Sequence, residues 1–251
     1  MTSDSSPLPG EAPAERSSFP ARAVGVLFNP VSAFDEIVAR PDSLGPLLVL
    51  IAASIAVAET MLAKIGLANI ILHSLQQSGR ARHMTPDQLN QVVGNSSAIV
   101  GVMTHVGAVV GPPIFMAVTA GVGLLILNGI FGARAGFKSV FSVTCYAALP
   151  VVIGDLMAIA LILFGDPNHF NPQAPIPTNP AFFLDPAATS RPLYALASSL
   201  DLLTFWFLGL LAVGLSRLSR GRVKARNIFL AYFVVWLALA LGKAGLAIVS
   251  P

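Results

Sequence analysis

Long apolar runs separated by short polar segments dominate this chain. Runs of about 20 apolar residues are long enough to cross the hydrocarbon core of a bilayer as a helix. The pattern therefore predicts an all-α membrane protein with five transmembrane helices. The predicted spans cover residues 44–65, 108–131, 138–164, 194–215 and 228–249.

The segment between the first two predicted spans keeps a helical pattern. Thr85 and Gln88 have capping-box spacing, with Pro86 at the first helical position, which marks a helix start. From there the sequence becomes increasingly apolar up to Phe131, which predicts a helix much longer than a bilayer requires. We predict that the two spans extend beyond the bilayer as a helical hairpin with its tip near Gly79, or that the extra turns lie flat at the interface. The GPP string at residues 111–113 should bend the second helix.

The N-terminal region is predicted to consist of a tail and one short helix. Residues 1–24 are expected to form a disordered cytoplasmic tail, because their first twenty are rich in Pro, Ser and acids and lack the apolar core of a signal peptide. In the helix, Asn29 is a good N-cap, Pro30 suits the first position and Pro41 ends it. Phe34 belongs to its apolar side. Ten residues cannot span a membrane, so this amphipathic helix is expected to lie on the membrane surface.

The third predicted span contains both a proline and a carboxylate. Pro150 has no N–H to donate to the carbonyl of Tyr146, so the helix should bend there. The bend would redirect the half that carries Asp155. We expect the other helices to be arranged around this span.

Composition supports a membrane protein and argues against other classes. The chain is 55% hydrophobic and 11% charged, whereas soluble proteins carry roughly 25% charged residues. The net charge of +3 does not indicate nucleic-acid binding, because the basic residues are few and lie between the apolar runs. The single cysteine, Cys145, lies inside a predicted span and excludes an intrachain disulfide.

The distribution of lysine and arginine predicts the orientation. Seven prolines between residues 166 and 193 indicate an external loop after the third span. With a cytoplasmic N-terminus, ten Lys and Arg residues lie on the cytoplasmic side and at most five on the other. The positive-inside rule then favours a cytoplasmic N-terminus and an external C-terminus. The composition, rich in Ala, Gly and Pro and poor in Lys, is typical of a high-GC bacterium, so we expect the protein in the cell membrane, as a multi-pass protein of a bacterial inner or plasma membrane.

Several short motifs occur in a fixed order on the five-span plan. Their positions are Asn29, Pro30, Phe34, Phe137, Tyr146, Pro150, Asp201 and Trp206. Together they resemble the Yip1-domain family of prokaryotic type. The resemblance covers residues 25–251 and implies a multi-pass protein without enzymatic activity. Eukaryotic members are associated with Rab GTPases, but the tail of this chain has no segment similar to a GTPase-binding region, so a Rab-type partner is not predicted.

Four ionisable residues fall inside predicted spans: Glu59, Asp155, Asp201 and Lys243. At 1.5 Å per residue, all four lie roughly 18–22 Å from the cytoplasmic edge of the bilayer, so four helices could bring them together in one layer. The layer could be a packed polar network that fixes helix register, or a proton or cation site that opens outward. A third alternative is that some of them reach the interface singly.

No catalytic, cofactor or metal motif accompanies these residues. Asp155 and Asp201 occupy consecutive spans, as in an intramembrane aspartyl protease, but the residues around them do not match such a site. The favoured function is therefore interaction with the lipid bilayer, with a membrane-protein partner or with a second copy. Gly107 and Gly111 form a GxxxG motif, which suits close helix packing within or between subunits. The alternatives are a small transporter or ion pathway and, less favoured, a membrane enzyme.

Overall fold

The computed structural model describes residues 17–77, 80–166, 171–186 and 188–249. Within these ranges the regular elements are helices, and no strand is present. A π-helical segment, Leu125–Ile130, continues α5, and 3-10 turns cover Arg80–His83 and Pro180–Phe183. The α-helices are α1 (Phe19–Phe28), α2 (Pro30–Ala39), α3 (Leu44–Lys64), α4 (Leu67–Gln77), α5 (Pro86–Leu124), α6 (Phe137–Ala147), α7 (Leu149–Phe164), α8 (Arg191–Ala197), α9 (Leu202–Leu218) and α10 (Ala225–Val249).

The apolar helices confirm the predicted all-α membrane fold. Four of the described helices are long and apolar enough to cross a membrane: α3, α5 with its π-helical continuation, the α6–α7 pair and α10. A fifth span is completed if the bent pair of α8 and α9 is counted as one crossing.

A helical hairpin connects the first two spans. Gly66 adopts a positive φ of 78° in the turn between α3 and α4, and α4 then packs along α5. The capping box is formed, since the Thr85 N–H donates to Gln88 Oε1 at 2.9 Å and the Gln88 N–H donates to Thr85 Oγ1 at 3.3 Å. Helix α5 continues through Pro112 and Pro113 without interruption. The predicted tip at Gly79 lies outside the described residues.

The N-terminal boundary of the predicted tail needs correction. Helix α1 begins at Phe19, so residues 19–24 are helical, whereas the tail was expected to extend to residue 24. The physical reason is burial, because Val26 is fully buried in the main core and Phe19 packs against that core. Residues 1–16 lie outside the described part of the chain.

Helix α2 precedes the first span in the sequence and packs into the helix bundle. Phe34 and Ile37 are fully buried, and α2 contacts α6 and α9. Gly214 of α9 permits this approach, since a Cβ there would lie 2.9 Å from the Phe34 ring and still closer to Val143. The helix expected at the membrane surface is therefore part of the core.

Helix α6 occupies the centre of the bundle. Every residue from Ser142 to Ala147 is buried, and α6 contacts α2, α5 and α9. The α-helix is interrupted at Ala148, just before Pro150, and α7 continues the same 28-residue span. The first half of this span is thus the element around which the others pack.

The fourth span departs from its predicted continuous helix. Its helix ends at Ala197 and resumes at Leu202, and the two halves are bent by 46°. Asp201 stands at the break and caps the second half. The break matters for function, because it contains Asp201 and also Ser198, the hydrogen-bond partner of Lys243.

Candidate functional site

Asp201 is an N-cap, and no ion pair joins it to a described residue. One carboxylate oxygen accepts hydrogen bonds from the Leu203 N–H at 2.7 Å and the Thr204 N–H at 3.4 Å. The other accepts from the Thr178 hydroxyl of the long connection at 3.2 Å. A carboxylate at a helix start satisfies backbone donors and interacts favourably with the helix dipole. Asp201 therefore secures both the restart of α9 and the connection that precedes it.

Lys243 lies on the other side of the same break. Its ammonium donates a hydrogen bond to Ser198 Oγ at 2.8 Å. A cavity of about 270 Å³ opens beside it, between α10 and the break. The lining residues are Ser199, Thr204, Trp236, Leu239, Ala240 and Lys243.

Glu59 pairs with a histidine on the neighbouring span. Glu59 Oε1 of α3 lies 2.9 Å from His105 Nε2 of α5, and both side chains are about half exposed. The second ring nitrogen of His105 lies 2.7 Å from the carbonyl of Gly101. The Glu59–His105 contact joins the two arms of the first hairpin.

Asp155 has no hydrogen bond or ion pair with any residue that the structure describes. It is half-buried on α7, next to Gly154, which lies against Leu203 of α9 and Ile176 of the long connection. Across the described residues, no ion pair joins Lys243 to Asp155 or to the other predicted acids. Among the described residues, the four predicted charges thus do not contact one another: Glu59, Asp201 and Lys243 each have a different partner, and Asp155 has none.

A polar contact that the sequence did not reveal fixes the N-terminal helices. Arg22 Nη1 of α1 forms an ion pair with Asp42 Oδ2 at 2.6 Å, and its guanidinium lies 5.6 Å from the ring centroid of Tyr146. The Tyr146 hydroxyl donates to Asp42 Oδ1 at 3.1 Å, and the Ser142 hydroxyl donates to the Asp42 carbonyl. In the sequence, Tyr146 stands out as a motif position and Pro41 as the end of a helix, but neither identifies Arg22 or Asp42 as a partner. We call Arg22, Asp42 and Tyr146 the N-terminal clamp.

A second ion pair connects the N-terminal helices to the fourth span. Asp35 of α2 accepts two hydrogen bonds from Arg217 of α9, at 2.5 Å from Nε and 2.7 Å from Nη2. Both side chains are more than 40% exposed, so the pair contributes little to stability and mainly fixes orientation. Arg217, in the last turn of α9, therefore makes a structural contact at the start of the basic segment.

The family-motif positions fall into two groups. Asn29 joins α1 to α2, since its N–H donates to the Gly25 carbonyl at 2.7 Å and its carbonyl accepts from Ala33. Pro30 begins α2. Phe137 stacks on Phe141 and remains half exposed, and Trp206 is 37% exposed. Phe34 and Tyr146 are buried. The motif positions therefore lie mainly where α1 and α2 pack on the bundle, and only Asp201 is one of the four predicted charged residues.

The geometry does not assemble a reaction centre from these groups. In the described part of the chain, no three His, Cys, Asp or Glu side chains come together as metal ligands would. The polar side chains named above instead join helices to one another. Such contacts orient the helices of a bundle and fix their register.

The helices and their contacts define a multi-pass integral membrane protein. Within that class, the Yip1 domain model matches residues 24–244. The chain therefore belongs to the Yip1-domain family, as its motifs predicted. No match was found among curated proteins or among solved structures.

Proposed function

We propose that this protein acts without catalysis, through interactions with lipids or with a membrane-protein partner in the bilayer. The observation that supports this function most directly is the rigidly held N-terminal helix pair. The N-terminal clamp attaches α1 to α6, and the Asp35–Arg217 pair attaches α2 to α9. Family membership also supports a role that does not involve a reaction.

Part of the outer surface of this helix pair is apolar. Phe28 is 82% exposed, Val24 57% and Val31 49%. They lie on elements outside the candidate spans. An exposed apolar patch in that position is typical of contact with the bilayer interface or with another protein. Holding the helices fixed reduces the entropy lost on binding, which favours such contacts.

Photo-crosslinking in the native membrane tests this function. Benzoylphenylalanine replaces Phe28, and a matched variant carries it at Phe164, which is 89% exposed at the end of α7. We expect a discrete protein adduct or a defined lipid adduct from position 28 and only diffuse lipid labelling from position 164. Mass spectrometry separates a second copy, another protein and a lipid. Equal, diffuse labelling at both positions would contradict the proposal.

We further propose that the protein resides in the cell membrane with a cytoplasmic N-terminus and an external C-terminus. The excess of lysine and arginine in the segment after α9 supports this orientation. Cys145 is fully buried, so a cysteine introduced at the exposed position Arg220 or Ala188 provides the accessible thiol. In intact cells, a membrane-impermeant maleimide should label the Ala188 variant and spare the Arg220 variant. The reverse labelling would invert the topology.

A further inference from the structure

The cavity beside the broken fourth span combines a cation, a hydroxyl and apolar walls. An ammonium carries three N–H donors, and Lys243 uses one of them, on Ser198, within the part of the chain that the structure describes. Thr204 also lines the cavity, and no hydrogen bond joins its hydroxyl to a described residue. The cavity is therefore lined by residues that carry two kinds of donor. Donors of this kind suit an oxyanion.

The apolar wall continues from the donors along one face of α10. Trp236, Leu239 or Ala240, and Lys243 are spaced three or four residues apart and so share a side of the helix. Leu239 is 70% exposed and Trp236 37%. Lys243 precedes the end of α10 at Val249 by six residues, or about 9 Å. Trp236 is about 20 Å from the same end.

These depths match the layout of a phospholipid. The 25 residues of α10 are about 37 Å long, compared with a hydrocarbon core about 30 Å thick. A lysine close to the end can extend its ammonium to the headgroup region while its stem stays in the apolar layer. The wall at Trp236 then lies where acyl chains are. A volume of about 270 Å³ is just below the range usual for whole drug-sized ligands, so it suits a headgroup better than a complete lipid.

We propose that this cavity binds the phosphate of an anionic phospholipid, with Lys243 and Thr204 as donors and an acyl chain lying on Trp236 and Leu239. Asp201 helps to form the cavity by capping α9, and its carboxylate is already engaged by backbone N–H groups and Thr178. The inference rests on the proposed function in that the ligand comes from the bilayer. It names one lipid class and one site for it.

Native mass spectrometry of the full-length protein in detergent tests the site. The probes are phosphatidylglycerol, zwitterionic phosphatidylcholine and oleic acid, which carries a carboxylate. We expect one phosphatidylglycerol to bind the wild type with at least tenfold preference over phosphatidylcholine and over oleic acid. Lys243→Ala should remove that preference, and Lys243→Arg should retain most of it. Lys64→Ala changes an exposed lysine at the end of another span and should have no effect.

Thr204→Val provides a second variant that keeps the shape of the side chain and the backbone cap. It should weaken phosphatidylglycerol binding severalfold, even if Lys243→Ala fails to fold. Equal binding of phosphatidylglycerol and phosphatidylcholine by the wild type would overturn the proposal. Preference for oleic acid, unchanged binding in both cavity variants, or an equal loss in Lys64→Ala would do the same. Because Phe28 is not in the cavity, the two experiments distinguish failure of the lipid site from failure of the proposed function.

Discussion

Replacing Gly214 by alanine tests how α9 is seated in the core. The added Cβ would lie 2.9 Å from two carbons of the Phe34 ring and even closer to Val143 Cγ1. Both neighbours are fully buried, so neither can move away into open space. Overpacking of this kind costs about 1–3 kcal/mol. Alanine also favours the helix over glycine by up to about 1 kcal/mol, which offsets part of the loss.

Gly209→Ala in the same helix is the matched control. A Cβ at Gly209 would meet nothing within 4 Å, so this variant gains the same helix propensity without the clash. The difference between the two variants therefore isolates overpacking, about 1–3 kcal/mol, and corresponds to a Tm difference of roughly 2–12 °C in a chain of this size.

The chain contains its own probe for this measurement. Cys145 is the single cysteine and is fully buried in α6, so a thiol-reactive dye should react with it only as the bundle unfolds. Thermal scans of the two detergent-extracted variants then give Tm directly. If Gly214→Ala melts at or above the temperature of Gly209→Ala, α9 does not pack on Phe34 and Val143 as described.

Two further sets of substitutions test whether Asp201 and Tyr146 act through the hydrogen bonds described above rather than through a layer of paired charges. Asp201→Asn keeps a capping oxygen and should change stability by no more than a few tenths of a kcal/mol, whereas Asp201→Ala should lose about 0.5–2 kcal/mol. A large loss in Asp201→Asn, measured by the same thiol assay, would indicate that the negative charge itself is paired. Tyr146→Phe removes the hydrogen bond to Asp42 and should cost about 0.5–1.5 kcal/mol. That loss should largely disappear in an Asp42→Ala background, and an undiminished loss there would show that Tyr146 acts elsewhere.

The spans were predictable because burial in a bilayer leaves a long apolar run in the sequence. The break in the fourth span was not, since Ser198 and Ser199 interrupt the run too briefly to exclude a continuous helix. Asp201 consequently looked like a charge inside a span, although it caps a helix. The depth estimate that placed it with Lys243 assumed straight helices, whereas the fourth span is bent by 46° at the break where both residues make their contacts.

The N-terminal clamp was hidden for a different reason. Arg22 and Asp42 are ordinary surface residue types, and their partner Tyr146 is 104 residues beyond Asp42. Periodicity reports which face of a helix is apolar, but it does not report which distant helix will cover that face. The start of α1 at Phe19 was missed for the same reason, because its burial depends on α6.

The Asp35–Arg217 contact bears on the order of events during biosynthesis. Its two residues are separated by 182 positions, and ribosomes add about 5–20 residues per second. The N-terminal helices therefore wait roughly 10–35 s before α9 has been made. During that interval Phe34 and Ile37 lack the α9 part of their core, and until α6 has been made the apolar side of α2 is exposed to lipid or a chaperone. The first helices to emerge from the ribosome are thus among the last to reach their final position.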